Sequence, residues 1–315
     1  MKYKYILMVG ALLLAGCAAQ KEVEPKKLVP KDMNGTTTST TTSEGTVYAK
    51  DKGYYASSCQ SGNGQGCRDL STLYELGLGV PKNIQKALQL NEKGCSLGNG
   101  SACSRAGNYY DDGRAGIKNK EKSASYYMEG CKLNYGIACN NIGSRYTNGT
   151  GVVKNAGLAE TYLKKSISLG NNAYSNLGFL YESMGDTEKA KTNYKKACDL
   201  KDPLGCSNLA NVLKNEKQYT PAYNYYLNAC NLSKSGACNS ASMMIYKKLL
   251  TPPNPNQTMF RLDSNSCEMN NKTGCSNLAY NYEKGVGTVI DNKKAQKYYK
   301  KSCKLGDKSS CKKLK

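Results

Sequence analysis

Histidine and tryptophan are absent from the 315 residues, and phenylalanine occurs only 2 times. Without histidine there is no Ser-His-Asp or Cys-His catalysis and no histidine metal site. No Cys-x-x-Cys occurs, which excludes a thioredoxin-like redox pair. Arginine is scarce: Arg68, Arg105, Arg114, Arg145 and Arg261 stand against 45 basic residues in all. Planar, bidentate recognition of phosphates and base edges draws on arginine, so the formal charge of +21 is a lysine charge. It favours weak attraction to anionic polymers or lipid headgroups and otherwise reads as a solvated lysine surface. No segment alternates apolar and polar residues as a half-buried strand does. With the other aromatics missing, the 25 tyrosines have to do much of the packing.

The chain opens MKYKYILMVGALLLAGC. Two lysines, a short apolar run and small residues before Cys17 form an export signal, and the run is too short for a comfortable membrane span. Leu14-Ala15-Gly16-Cys17 resembles the bacterial lipobox. That resemblance implies removal of residues 1–16, acylation of Cys17 and, with Ala18 rather than aspartate next, an outer-membrane destination on its periplasmic or surface face. Processing leaves about +19 from side chains. Residues 17–47 are polar, proline-containing and rich in threonine and serine, so they are expected to be a disordered tether. Export together with the arginine scarcity argues against nucleic acid as a partner.

An exported chain folds where cysteines pair. Setting Cys17 aside, 14 of the 15 cysteines remain, as Cys59/Cys67, Cys95/Cys103, Cys131/Cys139, Cys198/Cys206, Cys230/Cys238, Cys267/Cys275 and Cys303/Cys311. Every pair is Cys-x7-Cys, and the first members step by 36, 36, 67, 32, 37 and 36. The long step is two units, with Ile167 and Tyr174 at the two cysteine positions of one of them. Both cysteines are lost together, as bonded partners should be. Zinc is the rival reading, since two pairs could supply four thiolates, but structural zinc clips usually use closer cysteine spacing, no histidine is present and export disfavours free thiols. Disulfides within each Cys-x7-Cys are therefore expected, with no metal and no cofactor.

A fixed period of this length marks a repeat array. Within each unit apolar residues recur at helical spacing, as at Ala295, Tyr298, Tyr299 and Cys303. Asn83 and Asp291 are N-cap types, and Pro81 is placed to stop the preceding helix. Each unit reads as two antiparallel helices, and stacking gives an all-α, right-handed α-solenoid over 48–315, with eight hairpin junctions, seven of them stapled. The middle units, with ESMGDTEKA and KNEKQYTPA, are shorter and read as plain tetratricopeptide units. Another unit carries LLTPPNPNQT, where Pro252, Pro253 and Pro255 are expected to exclude helix.

These units resemble Sel1-like repeats, relatives of tetratricopeptide repeats. With Cys-x7-Cys in nearly every unit, residues 50–313 are similar to the Helicobacter cysteine-rich proteins. That family is associated with binding and slow hydrolysis of penicillin-type β-lactams, so the resemblance implies a weak β-lactamase as an alternative to a binding scaffold. By letters, Lys272-Thr273-Gly274 and Ser309-Ser310-Cys311-Lys312 match parts of the serine β-lactamase motif set, but no Ser-Asp-Asn occurs and no nucleophile can be named. Gly77-Leu78-Gly79 and Gly285-Val286-Gly287 lie between helices and read as turns rather than phosphate cradles.

The leading expectation is a monomeric scaffold that binds a protein, a peptide or a peptidoglycan-type ligand along its concave face. An asparagine recurs two residues after the second cysteine position, as Asn141, Asn176, Asn208 and Asn277. Such amides either form a ladder for an extended peptide backbone or bond neighbouring backbone near each helix start.

Overall fold

The computed structural model describes residues 44–314, with side chains from 51 onward. The expected signal, Cys17 and nearly all of the expected tether lie outside these residues. Among the described residues there are sixteen helices and no strand. They come in pairs: α1 (Glu44–Gln60) with α2 (Gly64–Leu76), α3 (Ile84–Ser96) with α4 (Gly100–Asp112), α5 (Lys120–Lys132) with α6 (Gly136–Asn148), and α7 (Ala156–Ser168) with α8 (Tyr174–Ser183). Then follow α9 (Thr187–Asp199) with α10 (Pro203–Asn215), α11 (Tyr219–Asn231) with α12 (Ser235–Tyr246), α13 (Pro255–Glu268) with α14 (Lys272–Lys284), and α15 (Asn292–Lys304) with α16 (Lys308–Lys312). The first helix begins at Glu44, four residues ahead of the expected repeat boundary at 48.

Short polar side chains start many of the helices. Asn83, Asn119, Asn155 and Asp291 each accept a hydrogen bond from the backbone N–H three residues on, which satisfies a donor with no intrahelical partner. The stops differ from the expectation at Pro81. Helix α2 ends at Leu76 because Gly77 turns left-handed at φ 77° and its N–H returns to Leu73 O. Gly113, Gly149 and Gly285 do the same for α4, α6 and α14, so glycine ends these helices and Pro81 only follows in the loop. The proline-rich loop also departs from expectation. Pro255 occupies the first turn of α13, where its missing N–H has no intrahelical role, so helix begins inside that segment.

All seven Cys-x7-Cys pairs close on themselves, each joining an odd-numbered helix to the even-numbered one after it, with Cα atoms 4.4 to 4.8 Å apart. Cys59 bonds Cys67, Cys95 bonds Cys103 and Cys131 bonds Cys139 ahead of the unstapled junction. Beyond it Cys198 bonds Cys206, Cys230 bonds Cys238, Cys267 bonds Cys275 and Cys303 bonds Cys311. The second cysteine of nearly every pair is fully buried: Cys67, Cys103, Cys139, Cys206, Cys238 and Cys275 have no exposed surface, and neither does Cys131. Sulfurs enclosed in this way pack the hairpin core and offer no surface to a ligand or a redox partner, so these cysteines are sites of covalent structure rather than of binding. The eighth junction, α7 to α8, carries Ile167 and Tyr174 in their place. Its second helix is the shortest of the inner ones before the C-terminal turn, at 10 residues, and has no side-chain N-cap.

The even-numbered helices form a layer of their own: α2 touches α4, α4 touches α6, α6 touches α8, α8 touches α10, and α12 touches α14. Helices that reach their next-but-one neighbour lie on the inside of a curved stack, so this layer lines the concave face. Tyrosine packs between the layers as expected. Tyr110 stacks on Tyr126, Tyr146 on Tyr162 and Tyr282 on Tyr298, each at 5.6 to 5.7 Å between ring centres. The shorter middle units share one continuous core from Ala159 to Leu262.

Closing a nine-residue ring contributes about 2–3 kcal/mol in the chain-entropy account, and a ring from Ile167 to Tyr174 is one residue shorter, which changes that figure little. Ile167→Cys with Tyr174→Cys should therefore form an eighth staple and raise the urea midpoint of the oxidised protein, by about 2 kcal/mol of unfolding free energy. A bridge that forms without moving the midpoint would contradict this.

Candidate functional site

One register relation organises the inner face. The residue four positions before the first cysteine of each pair points from an odd-numbered helix between two inner helices. It meets the residue four positions after the preceding second cysteine. The paired positions are Ser71/Asn91, Gly107/Tyr127, Gly143/Leu163, Gly178/Tyr194, Ala210/Tyr226, Ser242/Asp263 and Ala279/Tyr299. Small faces large here. A Cβ on Gly107 would stand 2.7 Å from the Tyr127 ring, and one on Gly178 2.6 Å from Tyr194. Each buried tyrosine then finds an acceptor on the inner helix it crosses. Tyr127 donates to Asn108 at 2.7 Å, Tyr194 to Glu182 at 2.5 Å, Tyr226 to Asn211, and Tyr299 to Glu283 at 2.6 Å.

Two units replace the large side chain with a short polar one and put serine opposite. Ser71 donates to Asn91 at 3.1 Å. Ser242 hydrogen-bonds Asp263, which also accepts from Asn281 at 2.8 Å and from Asn277 at 3.3 Å. Asp263 is 3 % exposed and is the one buried carboxylate among the described core residues. Burial raises its carboxyl above the usual aspartate value, against the pull of the Asn281, Ser242 and Asn277 hydrogen bonds.

Above Asp263 lies a cavity of about 620 Å³ between α12, α14 and α16. Met243 and Tyr246 line one side, Asn277, Tyr280 and Val286 the other, and Tyr299, Ser310 and Lys313 the far end. A smaller depression of about 390 Å³ sits in the same register between α4 and α6. There Tyr127 takes the place of Asp263, Asn108 and Asp111 take those of Met243 and Tyr246, and Ser144, Arg145 and Thr150 those of Tyr280, Asn281 and Val286. Asn141 and Asn277 correspond and are unchanged. The two sites are inverted in polarity: polar walls over an aromatic floor in one, apolar walls over a carboxylate in the other. The earlier site also neutralises its own acid. Asp111 is paired with Arg145 at 2.6 Å and with Lys120. Burial raises Asp111, but those hydrogen bonds outweigh it and its carboxyl titrates below the usual range. Asparagine stands at the arginine position beside Asp263.

The four predicted asparagines all stand on inner helices, and Asn141 and Asn277 line the two depressions. Three of them have side-chain partners within the chain. Asn176 donates to Asn140 and Asn277 to Asn239, both at 2.8 Å, each tying one unit to the unit before it. Asn208 bonds the Tyr194 hydroxyl. Asp263 was missed by sequence reasoning. The signal for it was a break in the tyrosine column, visible only once the units are aligned on their cysteines.

The motif-like serines and lysines fall elsewhere. Lys272-Thr273-Gly274 is the first turn of α14, where Asn271 caps the Gly274 N–H at 3.0 Å. Ser309 and Lys312 share the short α16, and the Ser309 hydroxyl donates to Asp307 at 2.8 Å. A hydrogen bond from Ser310, with those from Ser309 and Ser302, holds the Asp307 carboxyl well below the usual range. That makes it a poor base for activating a nucleophile.

Residues 64–99, 100–135, 136–171 and 273–307 match the Sel1 repeat, and residues 172–202 match a tetratricopeptide repeat, in line with the reading of the first short unit. No curated protein matches the chain. Among solved structures it is similar to a Sel1 repeat protein from Oxalobacter formigenes, at 17 % identity over 86 % of this chain and 73 % of that one, with a TM-score of 0.59. It is also similar to c5321, a protective antigen of uropathogenic Escherichia coli with an SLR fold, at 22 % identity over 83 % of this chain and a TM-score of 0.58. The chain spans 58 % of that antigen's length. Helicobacter pylori cysteine-rich protein B aligns at 30 % identity over 41 % of this chain and 92 % of its own, with a TM-score of 0.35.

Ser242→Ala with Asp263→Tyr copies the Ala210/Tyr226 and Ala279/Tyr299 pairs and closes the cavity floor. This double variant should fold and be more stable at neutral pH by about 1–3 kcal/mol, since a buried carboxylate without a cation is replaced by apolar packing. The sign with pH follows from the raised carboxyl. Below the ordinary value of 3.8 the acid is protonated both folded and unfolded, and the advantage is constant. Above it the unfolded chain ionises first, the parent loses stability, and the advantage grows until the folded Asp263 has ionised too. Urea titrations between pH 3 and 7 read this, and an advantage that shrinks as pH rises would overturn it.

Proposed function

The chain belongs to the Sel1-repeat proteins, and from that premise we propose that it is an exported, lipid-anchored scaffold that holds an extended segment of a protein partner in its inner groove. The observation that carries this reading is the inner face itself. Depressions recur between consecutive inner helices, at α4/α6, α10/α12 and α12/α14. An extended chain can follow such a row, placing side chains in successive sites while its backbone meets the amides between them. Tyr246, 65 % exposed, and Tyr280, 43 % exposed, offer rigid aromatic surface at the rim of the largest site, the residue type that most often anchors an interface.

Seven disulfides suit an oxidising compartment, extracellular or periplasmic. Among the described residues no helix is long and apolar enough to cross a membrane. The anchor is assigned to Cys17 on the strength of Leu14-Ala15-Gly16-Cys17, and the outer membrane on Ala18.

Two measurements test this function. A photo-crosslinking residue at Tyr246 or Tyr280 should capture one defined partner in intact cells, the same residue at exposed Lys195 on α9 should not, and the Ser242→Ala/Asp263→Tyr variant should lose the product. Equal capture from both layers would remove the groove reading. Cys17→Ala should abolish fatty-acid labelling and release the protein from the membrane fraction, and retention of the label would remove the anchor.

A further inference from the structure

The cavity over Asp263 has a carboxylate floor and largely apolar walls, with Lys313 at the far end paired to Glu283 rather than to Asp263. Asp263 receives three neutral donors, from Asn281, Asn277 and Ser242, and no lysine or arginine of the described chain forms an ion pair with it. In the equivalent site between α4 and α6, Arg145 lies over the ring of Tyr127, the residue at the Asp263 position, and pairs with Asp111, whose counterpart here is Tyr246. The position of Arg145 is taken by Asn281, so no guanidinium of this chain stands beside Asp263. A carboxylate out of water without a cation is unfavourable, and a partner that brings the cation recovers that energy on binding. The walls suit the stem of such a side chain. Met243, Tyr246 and Tyr280 present apolar surface from both inner helices along the way in to Asp263. Lysine and arginine combine an alkyl stem with a charged head in this way. The lysines nearby are taken up elsewhere: Lys284 and Lys313 both pair with Glu283, whose carboxyl a hydrogen bond from Tyr299 also holds down, to about 2.

We propose that this cavity receives a basic side chain, lysine or arginine, from an extended peptide segment of the partner, with the alkyl stem between Met243, Tyr246 and Tyr280 and the head on Asp263. The proposal rests on the groove reading above and adds the chemistry of the residue that is read. It makes Asp263 the specificity determinant of the groove, and it predicts that the partner segment is selected for one cation at a defined position rather than for overall charge.

The test uses the oxidised, full-length processed protein and a set of fluorescent nonapeptides, extended and otherwise neutral, with arginine, lysine, glutamine, norleucine or glutamate at the centre. Binding is followed by anisotropy. The arginine and lysine peptides should bind at least tenfold more tightly than the glutamine and norleucine peptides. Asp263→Asn, which keeps the shape of the floor, should remove that preference while leaving the circular dichroism spectrum unchanged. The Ser242→Ala/Asp263→Tyr variant should weaken binding of every peptide. Norleucine or glutamine peptides that bind as well as the basic ones, or a preference that survives Asp263→Asn, would overturn the proposal. In those cases a loss of binding in the filled variant would still leave the groove reading standing. If none of the peptides binds at millimolar concentration, both fall together.

Discussion

The structure depends on one contact: a large side chain from an outer helix passing between two inner helices over a residue with little or no side chain of its own. A hairpin of two 13-residue helices cannot bury both of its faces. Only when the next unit stacks does the tyrosine of one close over the glycine or alanine of another, as Tyr127 does over Gly107 and Tyr194 over Gly178. Interiors are packed closely enough that the pair must be matched in size. The tyrosine hydroxyl fixes depth as well, because it must reach Asn108, Glu182, Asn211 or Glu283. The disulfides serve this contact. By setting the angle between the two helices of a unit, they hold the position four residues before one cysteine in line with its partner on the neighbouring helix.

The candidate site is what this contact becomes when its chemistry is exchanged. At Ser242/Asp263 the ring is gone and a short carboxylate remains, so the space filled in five other units, by tyrosine or by Leu163, becomes part of a cavity. The walls change in the opposite sense, with Met243, Tyr246, Tyr280 and Val286 where the α4/α6 site has Asn108, Asp111, Ser144 and Thr150. The groove is therefore not uniform along the stack. One station is satisfied within its own chain by the Asp111–Arg145 pair, and another is left with a charge that only hydrogen bonds from amides and a serine support. A buried charge held in that manner is costly to stability, and such a cost at one unit of an otherwise regular array points to use rather than to packing.

Much of the fold was legible in the sequence. The eight-residue spacing, repeated at one phase and lost as a pair at Ile167 and Tyr174, identified the staples, and Asn83 and Asp291 before their apolar runs identified the starts of two helices. These signals are local, since a cap or a short ring is decided within a few residues. Two local readings failed for a local reason. Pro81 was credited with a stop that Gly77 makes by turning left-handed, and Pro255 was taken to forbid helix although the first turn tolerates it. The burial of the staples was not legible in the same way. Spacing pairs Cys206 with Cys198, but only the packing of α10 into its neighbours closes the sulfur off from solvent. The partners of the asparagine column were not legible for a different reason. Asn176 and Asn277 were placed on the right face, but their partners Asn140 and Asn239 lie 36 and 38 residues away. Nothing near them in the chain announces that an amide will be used to join units.

The sequence by itself determined the two-helix unit, its period, its staples and its caps, because each follows from interactions between residues close along the chain. It also determined that histidine chemistry is impossible here. What only the tertiary structure decided is the inner surface: which helices line it, which side chains reach through to it, and where it opens. Those depend on superposing units so that residues about 20 to 40 positions apart become neighbours. In the sequence Asp263 is one of 24 acidic residues. It becomes distinctive only when the stack brings Ser242, Asn277 and Asn281 around it, keeps water away, and removes the ring that would have covered it.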